Sequence, residues 1–339
     1  MRFSASAFAP ACASPNHCET DPLRLYPDAS GGEAAVTRYR VFPGMELDYR
    51  DVHARACREL RDGSGERLEI HHCLEGRVEY RQNGRYFYLS PGDLAVARTS
   101  SLPPDSRFPT GHYHGITVTI DPAAAPECLS CILSDVEVRP ATLMEKLCPG
   151  RTVFTARSSR RVKHVFSELY AVPEDIRKGY FKVKLLELLL FLSTLSPEDG
   201  QTPHGCTAAQ VTLAEQVKAR LLAESDRTLT LKSLSQQFNV SEAQIKSSFT
   251  GVYGMSPASY ARSQRMHGAA ALLRETDRTV LDIACQFGYD NASKFARAFR
   301  DVIGVSPREY RAGAEYDSCA PQLGEKPVSL SDADAERRI

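Results

Sequence analysis

The sequence is poor in the features that would settle its class at once. It has no net charge, 42 Lys and Arg standing against 42 Asp and Glu, so a polyanion-binding surface has to be local. It has no cysteine framework. Ten cysteines are scattered without a repeating spacing, which argues against a secreted disulfide scaffold and for a reducing cytoplasm, with most thiols acting as small buried hydrophobes. It has no secretory leader: "MRFSASAFAPACASPNHC" carries one Arg but no sustained apolar stretch, and residues 1–35 read as a disordered leader. It has no membrane span either, because the most apolar run, "LLELLLFLSTL" from Leu185, is short and includes Glu187.

What is present is a soluble composition, 42% hydrophobic and 25% charged, in 339 residues, enough for two domains. The charge is uneven. Residues 1–207 hold 25 basic and 26 acidic side chains, residues 208–312 hold 14 and 10, and the remainder holds 3 and 6. A mildly basic segment therefore lies between neutral and acidic neighbours.

From Val36 to Asp121 the pattern is strand-like. "RLEIHHCL" alternates in polarity, and Asn83-Gly84 in "RVEYRQNGRYFYLSPGD" separates two alternating runs with the dipeptide that a type I′ hairpin turn needs. Several such strands predict a small antiparallel β-barrel or sandwich over residues 36–157. Residues 158–195 turn helical, and the second helix there is apolar nearly all round, which requires deep burial or a partner chain. "SPEDGQTPHGCTA", residues 196–208, reads as a linker, residues 209–311 as helices punctuated by short turns, and residues 312–339 as a disordered acidic tail.

Within the helical segment the chain repeats itself. "NVSEAQIKSSFTGVYGMSP" from Asn239 and "YDNASKFARAFRDVIGVSP" from Tyr289 align at an offset of fifty, Ile245 with Phe295, Phe249 with Phe299 and Gly254 with Gly304. Upstream, "LKSLSQQF" aligns with "VLDIACQF". Each copy is helix, tight turn, helix. Ser241, three before Gln244, and Ser306-Pro307-Arg308-Glu309 supply start signals, and Ser256-Pro257 opens a long helix joining the copies. If Ile245, Phe249 and Val252 face the core, then Ala243, Gln244, Lys246, Ser247 and Thr250 are free, as are Ser293, Lys294, Arg297 and Arg300 in the second copy. Such helices suit the DNA major groove, where Arg reads guanine with two hydrogen bonds, and two on a stiff connector suit successive grooves about 34 Å apart. A solvated helical bundle explains one copy but not a capped tandem pair on a basic segment.

"IACQFGYDNASKFARAFRDVIGVSPREYR", Ile283 to Arg311, resembles the pattern IA…GY…S.F.R.FR…G.SP..YR of the AraC/XylS family of transcription regulators. The resemblance covers about Val211 to Arg311. It implies a sequence-specific regulator, often an activator, that binds double-stranded DNA through both recognition helices, with RNA polymerase as a partner if it activates. The family's base-reading positions fall on Ala243, Lys246 and Ser247 and on Ser293, Lys294 and Arg297. Two of the first three are small, so that helix relies on Lys246 and Gln244 or mainly positions the protein on phosphates.

"HHCLEGRVEYRQNGRYFYLSPGDLAV", His71 to Val96, is similar to the cupin-like sensor barrel of many such regulators, and the resemblance makes residues 158–195 a dimerisation element. The fold class expected is thus α+β and multidomain: a cupin-like barrel, a helical segment and an all-α tandem helix-turn-helix domain. A small-molecule effector would meet His72, Tyr80, Tyr86, Tyr88, His112 and His114. No cofactor is expected and no enzyme activity, because adjacent His71 and His72 point to opposite faces of a strand and cannot chelate together. The alternatives are a metal- or redox-sensing regulator using His112, His114, Cys128 and Cys131, whose C-x-x-C spacing suits zinc, or a cupin metalloenzyme fused to a DNA-binding module.

Overall fold

The computed structural model describes residues 18–20, 25–27, 31–59, 65–126, 138–150, 152–157, 159–200, 205–223 and 230–313. They form two compact units that part at the start of one long helix, between Pro257 and Ala258.

The first unit opens with strands β1 (Cys18–Thr20), β2 (Leu25–Pro27), β3 (Gly32–Phe42), β4 (Met45–Ala54), β5 (Ala56–Glu59), β6 (Leu68–Gly76), β7 (Val78–Gln82), β8 (Arg85–Leu89), β9 (Asp93–Arg98), β10 (Asp105–Arg107), β11 (Tyr113–Ile120) and β12 (Phe154–Arg157). Between β11 and β12 lies helix α1 (Pro140–Leu147); α2 (Arg160–Tyr170) and α3 (Arg177–Thr194) follow. The strands divide into a seven-stranded antiparallel sheet in the order β1-β3-β4-β11-β6-β9-β12, a three-stranded sheet β10-β5-β2 and the hairpin β7-β8. The expected closed barrel is therefore an open sheet with β1 and β12 as its edges.

Strand alternation sorts the side chains onto the two faces of the sheet. Leu47, Ile70, Val96, Ile116 and Val118 pack against Phe166, Leu169, Phe181, Leu185 and Leu188 of α2 and α3. On the other face Val52, Cys73, Ala95 and Tyr113 meet Cys57, Val78 and Tyr80 from the smaller sheets and Phe108 just after β10. A buried side chain of this size contributes about 1.5–3 kcal/mol, so the layers are held mainly by these contacts. Across β3 and β4, Arg38 donates to both Asp48 oxygens at 2.6 and 2.5 Å, the bidentate arrangement that best repays burying a guanidinium. Asn83 and Gly84 take φ of 51° and 73° in the tight turn between β7 and β8, as the Asn-Gly dipeptide predicts.

Within the expected leader, the described residues 18–20, 25–27 and 31–35 include strand: β1 pairs antiparallel with β3, β2 with β5, and β3 begins at Gly32. Backbone groups at a sheet edge accept a strand whatever its hydrophobicity, so composition alone misses it. The expected acidic tail, apart from Ala312 and Gly313, and the Cys128/Cys131 pair lie outside the described residues, as do residues 201–204 of the expected linker. The apolar helix α3 resolves the choice between burial and partner unevenly: Leu185, Leu188, Leu189 and Leu192 are buried in the core, whereas Ile176 just before it and Val183 on it are 53% and 60% exposed. Among the described residues no helix is long and apolar enough to cross a membrane.

The first unit ends with α4 (Ala208–Ala223), α5 (Leu231–Phe238) and α6 (Glu242–Tyr253). The second consists of α7 (Pro257–Glu275), whose first residue closes the first unit, then α8 (Val280–Gln286), α9 (Ala292–Ile303) and α10 (Pro307–Arg311). Its core joins Met266, Ala269 and Leu273 of α7 to Ile283, Phe295, Phe299, Ile303 and Tyr310.

Candidate nucleic-acid interface

Each helix-turn-helix is set by local signals. Thr230 caps α5 by accepting from Ser233 N, and Asn239 ends it in the left-handed region at φ 52°, which Asn tolerates. Ser241 then caps α6 by accepting from Gln244 N at 3.2 Å. In the second copy Thr279 caps α8, and Asn291 caps α9 by accepting from Ser293 N at 2.7 Å and Lys294 N at 3.3 Å. Both second helices end on glycine at positive φ, Gly254 at 76° and Gly304 at 87°. Ser306 and Glu309 complete a capping box at α10. These caps fix helix phase, and the phase decides which side chains remain free.

On α6, Ile245, Phe249 and Val252 are buried, while Ala243, Gln244, Lys246, Ser247 and Thr250 are exposed. On α9, Phe295, Phe299 and Ile303 are buried and Ser293, Lys294, Arg297 and Arg300 are exposed. Among the described residues, none of Lys246, Lys294, Arg297 and Arg300 forms an ion pair with a carboxylate. Their charge is thus available to phosphates or base edges. The two faces differ in kind: α6 offers one cation among small polar groups, α9 three cations on one stripe.

The first helix-turn-helix is joined to the sheets of its own unit. Arg77, in the link between β6 and β7, donates from Nη1 to the Thr250 carbonyl at 3.5 Å, and its guanidinium lies 5.5 Å above the Tyr88 ring. A cation at this point complements the C-terminal end of α6. Glycine suits position 254 on two counts: its φ is 76°, and a Cβ there would lie 2.3 Å from Arg77 Nη1, so the guanidinium would have to move. Lys218 of α4 donates to the Pro109 carbonyl at 3.0 Å, and Tyr86 and Cys206 exchange backbone hydrogen bonds at 2.9 and 2.8 Å. Nothing in the spacing of Arg77 along the sequence signals this role.

The residues expected to line an effector pocket are not gathered in one place. A small cleft with a cavity volume of about 20 Å³ lies on the face away from α2 and α3, lined among others by Arg50, His71, Glu79, Tyr80, Phe108 and Tyr113. Tyr80 is there. Tyr88 is buried nearby and donates to Glu79 at 3.1 Å, and Tyr86 lies under the Arg81 guanidinium at 4.8 Å. His72 faces the helices instead, stacked on Phe166 with ring centroids 4.1 Å apart, and burial with nearby Lys163 pushes its pKa down to about 4. His71 takes the cleft side, its Nδ1 3.1 Å from Thr117 Oγ1 and its Nε2 3.1 Å from Glu69. The adjacent histidines do point apart, and the strand's phase decides which one meets the cleft.

His112 and His114 have ring centroids 6.4 Å apart. His114 belongs to the helix-covered face, beyond the helices, with Nδ1 3.2 Å from Asp51. Asp51 also lies 3.0 Å from His53 Nε2, and His112 Nε2 is 3.6 Å from Glu75. Asp51 and His53 were not among the residues singled out from the sequence. Their spacing of two along an alternating strand, matched by the spacing of His112 and His114, is the signal that would have found them.

The helix-turn-helix domain family matches residues 234–313 of the chain. An uncharacterized HTH-type transcriptional regulator, YdiP, of Escherichia coli strain K12 is 35% identical over 275 residues, 77% of this chain and 88% of that protein. The arabinose operon regulatory protein of Salmonella typhimurium strain LT2 is 24% identical over 259 residues, 71% of this chain and 82% of its own. A solved structure of a probable AraC family transcriptional regulator from Rhodopseudomonas palustris CGA009 is 30% identical, covering 31% of this chain and 98% of that one at a TM-score of 0.29.

Proposed function

Because the chain belongs to the AraC/XylS family of helix-turn-helix transcription regulators, we propose that it is a cytoplasmic, ligand-responsive regulator, an activator, reading two successive major grooves with α6 and α9. The observation that carries this is the exposed stripe of Ser293, Lys294, Arg297 and Arg300 on a helix whose other face is locked by Phe295 and Phe299. Arg297 and Lys294 read base edges; Arg300 and Lys246 serve phosphates. With both readers on one chain, the site read is longer than either helix reads alone.

The cleft bordered by Arg50, His71, Glu79 and Tyr80 combines apolar walls with a few convergent polar groups and is the site proposed for a small polar effector, which has to part the lining to enter, since the space as it stands holds about one water. The contact of Arg77 with the end of α6 supports coupling of that cleft to the reader, because β7, which follows Arg77, carries Val78, Glu79 and Tyr80 of the lining. Residues 158–195 carry the homodimer contact, with Ile176 and Val183 as its apolar surface, and bound RNA polymerase would be the partner of the activating form.

The test is selection of the purified protein from a random duplex pool. Two conserved blocks about one helical turn apart are expected. Enrichment of a single short block would refute tandem reading, and recovery of no motif across a panel of small polar effectors would refute sequence-specific recognition.

A further inference from the structure

The sheet face covered by α2 and α3 continues past Tyr49 into a patch of different chemistry. Asp51 on β4 lies opposite His114 on β11, and Glu75 on β6 lies opposite His114 from the other side. Residues directly opposite across a ladder share a face, as do alternate residues of one strand. His53 therefore joins Asp51 there, and Glu33 of β3 stands opposite His53. Asp51 Oδ1 is 3.0 Å from His53 Nε2 and 3.2 Å from His114 Nδ1, with the two imidazole centroids 5.1 Å apart at 69°. One ligand atom from each of the three residues lies within 4.8 Å of the others.

We propose that Asp51, His53 and His114 form a binding site for a divalent first-row transition-metal ion, held by His53 Nε2, His114 Nδ1 and an Asp51 carboxylate oxygen. The separations suit it. Imidazole and carboxylate bind zinc at about 2.0–2.2 Å, which places neighbouring ligand atoms of a tetrahedron roughly 3.3 Å apart, close to the two distances found. The chemistry also suits it. Two nitrogens and one oxygen select a zinc- or iron-like ion rather than calcium or magnesium, which prefer all-oxygen shells.

The charge balance points the same way. Asp51 and Glu75 pair with histidines only; among the described residues neither meets a Lys or Arg. A divalent cation would neutralise these carboxylates. The His53 side chain is 48% exposed, so an ion has a path from solvent, and three protein ligands leave positions for water or for Glu75. The competing account is a hydrogen-bonded His-Asp-His cluster that never holds metal.

The experiment takes the full chain, stripped with EDTA and dialysed, and titrates it with Co2+ followed by visible absorption and with Zn2+ by calorimetry. One ion per chain is expected. His53→Ala and Asp51→Asn should each weaken binding at least roughly tenfold, while Cys128→Ser with Cys131→Ser leaves it unchanged. Circular dichroism of each variant checks the fold, and exposed His53 is the substitution least able to disturb it. Absence of stoichiometric binding, binding undiminished in both variants, or a thiolate-to-cobalt charge-transfer band overturns the assignment. The readout is metal occupancy and does not involve DNA, so its failure leaves the regulator reading untouched, and failure of that reading leaves the metal site standing.

Discussion

Acid should loosen the first unit through one side chain, His72. Its imidazole is stacked on Phe166, its Nδ1 is 3.4 Å from the Tyr170 hydroxyl, and burial followed by the Lys163 charge lowers its pKa to about 4. In the unfolded chain the group takes a proton near its ordinary value of about 6.5. As pH falls, the unfolded state therefore gains the proton first. Stability that is full above about pH 6.5 is lost progressively down to about pH 4. The two values differ by about 2.5 units, or about 3 kcal/mol when the loss is complete, and about 2 kcal/mol of that is gone by about pH 5. The assay is urea unfolding of the wild type and of His72→Phe at about pH 7.5 and pH 5. Phe preserves the stacking shape and removes the proton site, and other depressed histidines such as His114 and His267 act in both proteins and cancel. The wild type should lose about 2 kcal/mol more than the variant between the two conditions. Equal losses would refute the reasoning, because they would mean that folded His72 accepts a proton as readily as the open chain.

Three further outcomes follow from the same geometry. Arg297→Ala should weaken specific DNA binding by about 1–3 kcal/mol and relax preference at one base pair; a binding titration with unchanged affinity and preference would remove Arg297 from the reading surface. Asn291→Ala removes the acceptor for Ser293 N and Lys294 N and should cost the second unit about 1 kcal/mol in thermal or urea unfolding, which no change in midpoint would contradict. Val183→Glu places a charge on an exposed apolar position of α3 and should shift sedimentation toward monomer without altering the far-ultraviolet spectrum; an unchanged dimer would move the contact elsewhere.

The helix-turn-helix pair was legible because its signals are local. Caps at Ser241 and Ser306, glycines at 254 and 304, and buried positions at helical spacing act within a few residues of one another, and the structure has them where the pattern puts them. The Asn83-Gly84 turn was legible for the same reason. An alternating strand, by contrast, states that it has two faces without stating what covers either. Whether the strands close into a barrel, whether His71 or His72 meets the cleft, and whether Asp51 and His53 meet His114 depend on which strands pair and in what register. Those are contacts between residues from about 20 to more than 60 apart in the chain, paid for by side-chain packing over a whole face. Arg77 belongs to the same group, since its partner Thr250 lies 173 residues away. The sequence by itself thus determined the kind of reader and its exposed cations; only the tertiary structure decided that the sheet stays open and which polar side chains it brings together, because no short-range preference encodes a long-range register.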